Sequence, residues 1–76
     1  MHYRSSDVNN LPFNCIAECD ANCTNLPVAN TPTSVINIRV AGNEYFVHQL
    51  AIVGQTGDIY IRTKWATTWG GWTKKA

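Results

Sequence analysis

Charge is what this sequence has least of. Asp, Glu, Lys and Arg make up 14% of its 76 residues, against about 25% in an ordinary soluble domain. The net charge is +1, so no general basic field exists to hold a phosphate backbone, and nucleic acid is excluded as an expected partner. After Asp58 come only the cations Arg62, Lys64, Lys74 and Lys75, a local bias that reads as a solvated end. Long apolar runs are missing too. The stretch from Tyr45 to Gly57 is interrupted by His48, Gln49, Gln55 and Thr56 and falls far short of the roughly 20 apolar residues that cross a bilayer, so no membrane insertion is expected. Met1-His2-Tyr3-Arg4-Ser5-Ser6 leads into no apolar segment, which argues against a secretory signal of the usual three-part form. There is no internal repeat, no linker and no second domain.

A catalytic set is also lacking. His2 falls in a segment, residues 1–6, expected to be flexible, and His48 has no acid in a motif that would make it a general base. The expectation is no enzyme, no cofactor and no metal. His48 reads as a hydrogen-bonded structural histidine.

Cys15, Cys19 and Cys23 are an odd number of cysteines at intervals of four. A zinc site would have to recruit His48, and the first pair lies in an expected strand, where four residues separate side chains by roughly 13 Å. That is too far to share a metal. A Cys19–Cys23 disulfide across Asp20-Ala21-Asn22 is open to the chain in an oxidising compartment, leaving Cys15 free. The preferred reading is three small buried or half-buried thiols.

Apolar residues reach 45%, and on so short and weakly charged a chain they point to self-association. A domain this size buries only about 60% of its unfolded surface and needs help from disulfides, metal or partners. The β pattern is plain. Asp7 is a good cap, but Pro12 turns Leu11 away from helix, so a single turn is expected there. Phe13 to Cys19 places Phe13, Cys15, Ala17 and Cys19 on one side of a strand expected near an edge. Asp20 to Thr33 is loop chemistry, rich in Asn, Asp, Thr and Pro. Ser34–Ala41 and Glu44–Val53 flank Gly42-Asn43, a dipeptide suited to a two-residue hairpin turn.

That turn sets a register. Val40 should face Tyr45, Ile38 face Val47, and Ile36 face Gln49 on the core side; Arg39 should face Phe46, Asn37 face His48, and Val35 face Leu50 on the other. The second side is too apolar for open water, which makes Phe46, His48, Leu50 and Arg39 a candidate subunit interface. Gln49, on the core side, must find partners for its amide.

Asp58–Trp65 returns as a third strand, with Ile59, Ile61, Thr63 and Trp65 alternating with Tyr60, Arg62 and Lys64. A last short strand runs from Trp69 to Lys74. All three tryptophans fall in this stretch. Trp65, Tyr60, Arg62, Trp69 and Trp72 form a candidate glycan platform. Within it Trp69 and Trp72 are expected to close the core, each burying about 150–250 Å². Arg62 is expected to stack on one of them or pair with Asp7 or Glu18. Trp65 is the better ligand candidate. The fold class is a mainly β, small antiparallel meander of four to five strands, sandwich-like, occupying residues 7–76 as one domain.

Asp7-Val8-Asn9-Asn10-Leu11, Asn22-Cys23-Thr24-Asn25-Leu26-Pro27, Val47-His48-Gln49-Leu50-Ala51, and Ile59-Tyr60-Ile61-Arg62 followed by Trp69-Gly70-Gly71-Trp72 occur in an order that resembles the knob domain of phage and R-type pyocin tail fibres and tailspikes. The resemblance spans residues 7 to 74. It implies a homotrimeric virion component made in the bacterial cytoplasm with its thiols free, serving as a structural or receptor-binding module near the host-contacting end, where bacterial surface polysaccharide is a possible partner. Two alternatives stand beside it: a monomeric carbohydrate-binding module, and a trimerisation domain with no ligand of its own.

Overall fold

The computed structural model of the chain describes residues 2–12, 14–40 and 43–76. They form a mainly β domain built on one curled, mixed sheet. Its strands are β1 (His2–Asp7), β2 (Cys15–Thr24), β3 (Thr33–Val40), β4 (Asn43–Val53), β5 (Ile59–Trp65), β6 (Thr68–Trp69) and β7 (Thr73–Lys74). The spatial order is β1-β2-β3-β4-β5-β6, with β7 pairing on β5. From β2 onward the sheet is an antiparallel meander, as expected. At its start β1 runs parallel to β2.

That parallel strand corrects one expectation. Residues 2–6, read as a flexible lead-in, are strand, while β2, expected near an edge, lies one strand in from it, between β1 and β3. No apolar alternation marks β1; its strand form comes from pairing with β2. A parallel return needs a connection, and a 3₁₀ turn at Val8–Asn10 begins it. Asp7 caps this turn, its Oδ1 accepting from the Asn9 N–H at 2.9 Å, and Leu11 is extended (φ −76°, ψ 143°). This is the single turn that Asp7 and Pro12 dictate. Phe13, expected to lie beside Cys15, falls outside the described residues.

β2 also continues through Asp20–Thr24, where the sequence reads as loop. Turn-forming residues are tolerated because the pairing is irregular: Ser5 pairs with Cys19 but Asp7 with Thr24. Trp69 to Lys74, expected as one strand, is split into β6 and β7, which both return to β5.

The β3–β4 register differs by one residue from the expected one. Val35 pairs with Ala51, Asn37 with Gln49 and Arg39 with Val47, with an irregularity between Arg39 and Val40. The expected turn residue Gly42 lies outside the described residues. A slip of one residue exchanges faces. Val35, Asn37 and Arg39 therefore share the inner face with Val47, Gln49 and Ala51, while Ile36 and Ile38 join Leu50 and His48 on the outer face. The observed register sets the two buried amides of Asn37 and Gln49 opposite one another, where each satisfies the other.

The inner face is lined by small side chains. Cys15, Ala17, Cys19, Val35, Val47, Ala51 and Val53 are all buried, and Val8 from the 3₁₀ turn seats against Ala17, Cys19, Cys23, Val35 and Ala51. Leu11, Leu26, Tyr60 and Trp72 cover this cluster. All three cysteines are free, buried thiols, the preferred reading of the sequence. Gly54 is required where it stands: its N–H donates to the Pro32 carbonyl at 2.8 Å, and a Cβ would lie 2.9 Å from that oxygen.

Candidate functional site

The proposed site residues divide between the two faces. On the inner face, β5 points Arg62 into the molecule, where 7% of it is exposed. Its Nε donates to Gln49 Oε1 at 2.8 Å, and an Nη donates to Asn9 Oδ1 at 2.6 Å. Gln49 in turn donates to the Val8 carbonyl at 2.7 Å and to Asn37 Oδ1 at 2.9 Å, and Asn37 donates to the Pro12 carbonyl at 2.9 Å. Three strands and the 3₁₀ connection are thereby tied by one continuous chain of hydrogen bonds.

Trp69 and Trp72 close over the same guanidinium, their ring centroids 4.0 and 4.5 Å from Cζ. The Trp72 indole N–H donates to the Asn25 carbonyl at 3.0 Å, on a residue whose positive φ of 65° suits asparagine. Burial lowers the Arg62 pKa to about 10, opposed by the negative charge of Asp7. The side chain stays cationic at neutral pH, so each cation–π contact is made by a charged, desolvated group.

This geometry places three of the five candidate glycan-platform residues, Arg62, Trp69 and Trp72, in a structural clamp. Trp69 and Trp72 turn ring faces to Arg62, and Tyr60 packs against the core cluster. Trp65 stands apart. It lies on the outer face, 69% exposed, with Phe46 edge-on at 4.6 Å and an interplanar angle of 66°.

The candidate interface residues divide as well. Phe46, His48 and Leu50 share the outer face, but Arg39 pairs with Val47 and points to the inner one. Its backbone N–H donates to Asn14 Oδ1 at 3.2 Å. Arg39 is thus a residue of the inner side, carried there by the register shift.

Four rows cross the outer face. Ile16, Ile36, Leu50 and Ile61 are directly paired in one row across β2, β3, β4 and β5. Glu18, Ser34, Ile52 and Ile59 form the next row, Ile38, His48 and Thr63 a third, and Phe46 with Trp65 the fourth. Ile16 and Ile38 are each about half exposed, at 51% and 50%. His48 Nδ1 and Thr63 Oγ1 lie 2.9 Å apart and satisfy each other. Ile16, Ile36, Ile38, Ile59 and Ile61 were not singled out as site residues from sequence. Had the two amides been paired first, the true register and this face would have followed.

Among the described residues no group of three or more His, Cys, Asp or Glu side chains is arranged to hold a metal ion, and no helix is long and apolar enough to cross a membrane. No protein-family model, curated protein or solved structure matches the chain.

Proposed function

We propose that the chain is an assembly module that covers the outer face of its sheet with further copies of itself, three in the tail fibre or tailspike that the sequence resembles. The observation that carries this reading is the unbroken aliphatic row Ile16–Ile36–Leu50–Ile61 and the apolar rows beside it. Exposed apolar surface on this scale marks an interaction site. Its size fits a second copy. The two longer dimensions of the molecule, 32 and 23 Å, bound the face at roughly 700 Å², near the ~800 Å² that each partner gives to a standard interface.

Charge points the same way. Among the described residues Glu18 is the one carboxylate in these rows, and the register sets Arg4 of β1 opposite it, so the charges on the face are few and balanced. A neutral, apolar face complements itself.

In this reading the module shapes the fibre, and host contact falls to what the assembly leaves uncovered. Trp65, at one corner of the face, is the residue that favours the second reading, a carbohydrate-binding module acting as a monomer. Its exposed indole offers a stacking surface of the kind sugars use.

Light scattering on the purified chain separates the two. A mass near three chains, reduced to one by Ile38→Lys with an unchanged circular dichroism spectrum, is the expected result. A wild-type monomer at 100 μM that binds bacterial surface polysaccharide, and loses that binding in Trp65→Ala, would replace the assembly reading with the second one.

A further inference from the structure

The irregularity in β2 brings two thiols together. Cys19 pairs with Ser5 and Thr24 with Asp7, so two steps along β1 are matched by five along β2. Two residues of extended chain cover roughly 7 Å, whereas a regular strand would carry Cys23 roughly 13 Å from Cys19. The surplus is taken up by a bulge over Asp20-Ala21-Asn22, closed by the Asn22 N–H donating to Asp20 Oδ1 at 2.9 Å. Both thiols turn into the same buried cluster beneath it, 4% and 7% exposed. The Cys23 thiol lies close enough to Cys19 to raise its pKa, and its own Sγ–H donates to the Thr24 carbonyl at 3.8 Å.

Disulfides need Cα atoms about 4.4–6.8 Å apart with their Cβ vectors converging. The bulge draws Cys19 and Cys23 closer than a regular strand would, toward that range, within a single strand. Cys15 is different. It lies on the regular part of β2, opposite Asn37, and stays a lone buried thiol.

We propose that Cys19 and Cys23 form a closable dithiol, a site of reversible disulfide modification by small aliphatic disulfides that staples the β2 bulge. One thiol, as thiolate, attacks a disulfide RSSR; a mixed disulfide forms and one RS⁻ leaves, taking up the proton that the attacking thiol gave to solvent. The second thiol then attacks the protein sulfur of that mixed disulfide. The Cys19–Cys23 bond forms and a second RSH leaves, so two cysteine thiols are oxidised and one RSSR is reduced to two RSH. Access exists, because Cys19 lines an open cleft of about 520 Å³ with Glu18, Pro32, Thr33 and Gly54. Burial, with the Cys23 thiol and Asp20 beside it, pushes the Cys19 thiol up to about 12. Closure is therefore slow at neutral pH and quickens as pH rises. A chain folded under reducing conditions keeps its thiols, then gains the staple once it stands in an oxidising medium.

The test uses the purified full chain, freed of reductant and equilibrated with oxidised glutathione at pH 8.5. Thiols are counted by alkylation in denaturant and mass spectrometry. The expected count falls from three to one, with no cross-linked chains, and thermal unfolding of the closed form rises by roughly 5 °C or more. Cleavage before Asp20 should leave two fragments joined until reductant is added, and Cys15→Ala should give the same joined pair. Should that variant fail to fold, tandem mass spectrometry of the joined wild-type fragments assigns the bond instead. Three thiols remaining, a persistent glutathione adduct on a single cysteine, or bonds between chains would each overturn the proposal. None of these outcomes depends on how many copies assemble.

Discussion

Arg62 shows how one side chain can tie a small domain together. It is a charge in the least solvated part of the molecule, held by two oxygens and two indoles. A domain of 76 residues has a stability of roughly 4–11 kcal/mol at 0.05–0.15 kcal/mol per residue, so the clamp is a sizeable part of the whole. Arg62→Met keeps the apolar stem between the rings but strands Gln49 Oε1 and Asn9 Oδ1. Hydrogen bonds to charged groups are worth about 1.5–3 kcal/mol each, while removing a buried cation recovers part of its desolvation cost. The net expectation is a loss of about 2 kcal/mol, read from the urea midpoint at constant slope. A change under about 0.5 kcal/mol, the range of an ordinary surface substitution, would mean that the indoles close the core without the guanidinium.

Asp7 makes a second prediction at this scale. Burial alone would raise its pKa, but hydrogen bonds from Asn25, the Asn9 N–H and Thr24, together with the charge of Arg62, hold it below 3.8. The folded state therefore keeps the carboxylate longer than the unfolded chain does. The stability this confers is complete above the unfolded value and is lost as pH falls through the folded one. Between pH 5 and pH 2 the wild type should lose more stability than Asp7→Asn, which lacks the titrating group. Parallel acid limbs in the two proteins would remove Asp7 from the account.

At the scale of elements, what the sequence made legible was what local chemistry decides. β3, β4 and β5 were placed to within a residue or so, since β-branched runs are bounded in the sequence by Pro32, Gly42-Asn43 and Thr56-Gly57. The turn at Val8–Asn10 followed from Asp7 and Pro12. What stayed hidden depends on partners distant in sequence. β1 carries no pattern of its own and exists because β2 offers it an edge. The bulge in β2 sits where Asp20, Ala21 and Asn22 read as a turn, and it is a turn, contained within a strand. The inner face misled most. Arg62, Gln49 and Asn37 lie inside while Ile36, Ile38, Ile59 and Ile61 lie outside, an inversion that no hydropathy count foresees. The polar trio is buried because its members satisfy one another; the isoleucines are left outside on a face whose register neighbours are equally apolar. In the site, Trp72 against the core, Arg62 stacked on a tryptophan and Trp65 as the exposed ring were legible in the sequence, whereas Arg39 was misassigned with the register.

At the scale of the molecule, the inversion bears on how the protein exists in solution. If copies cover the outer face as proposed, a chain with its polar network inside and an apolar sheet face outside gains stability from that cover, in proportion to the apolar area removed from water. Folding and assembly are then linked by mass action, and the melting temperature must rise with chain concentration. The dependence should vanish in Ile38→Lys, whose charge falls beside His48 in the third row. Salt supplies the complementary test. The charges that the register sets on this face are Glu18 and, opposite it, Arg4, so screening has little to weaken between copies and the proposed assembly should keep its mass in 1 M NaCl, where exposed charge pairs are screened within about 3 Å. A melting temperature constant across a hundredfold range of concentration would show that the sheet is stable with its outer face in water, and the reason for that face would have to be sought in a ligand at Trp65 instead.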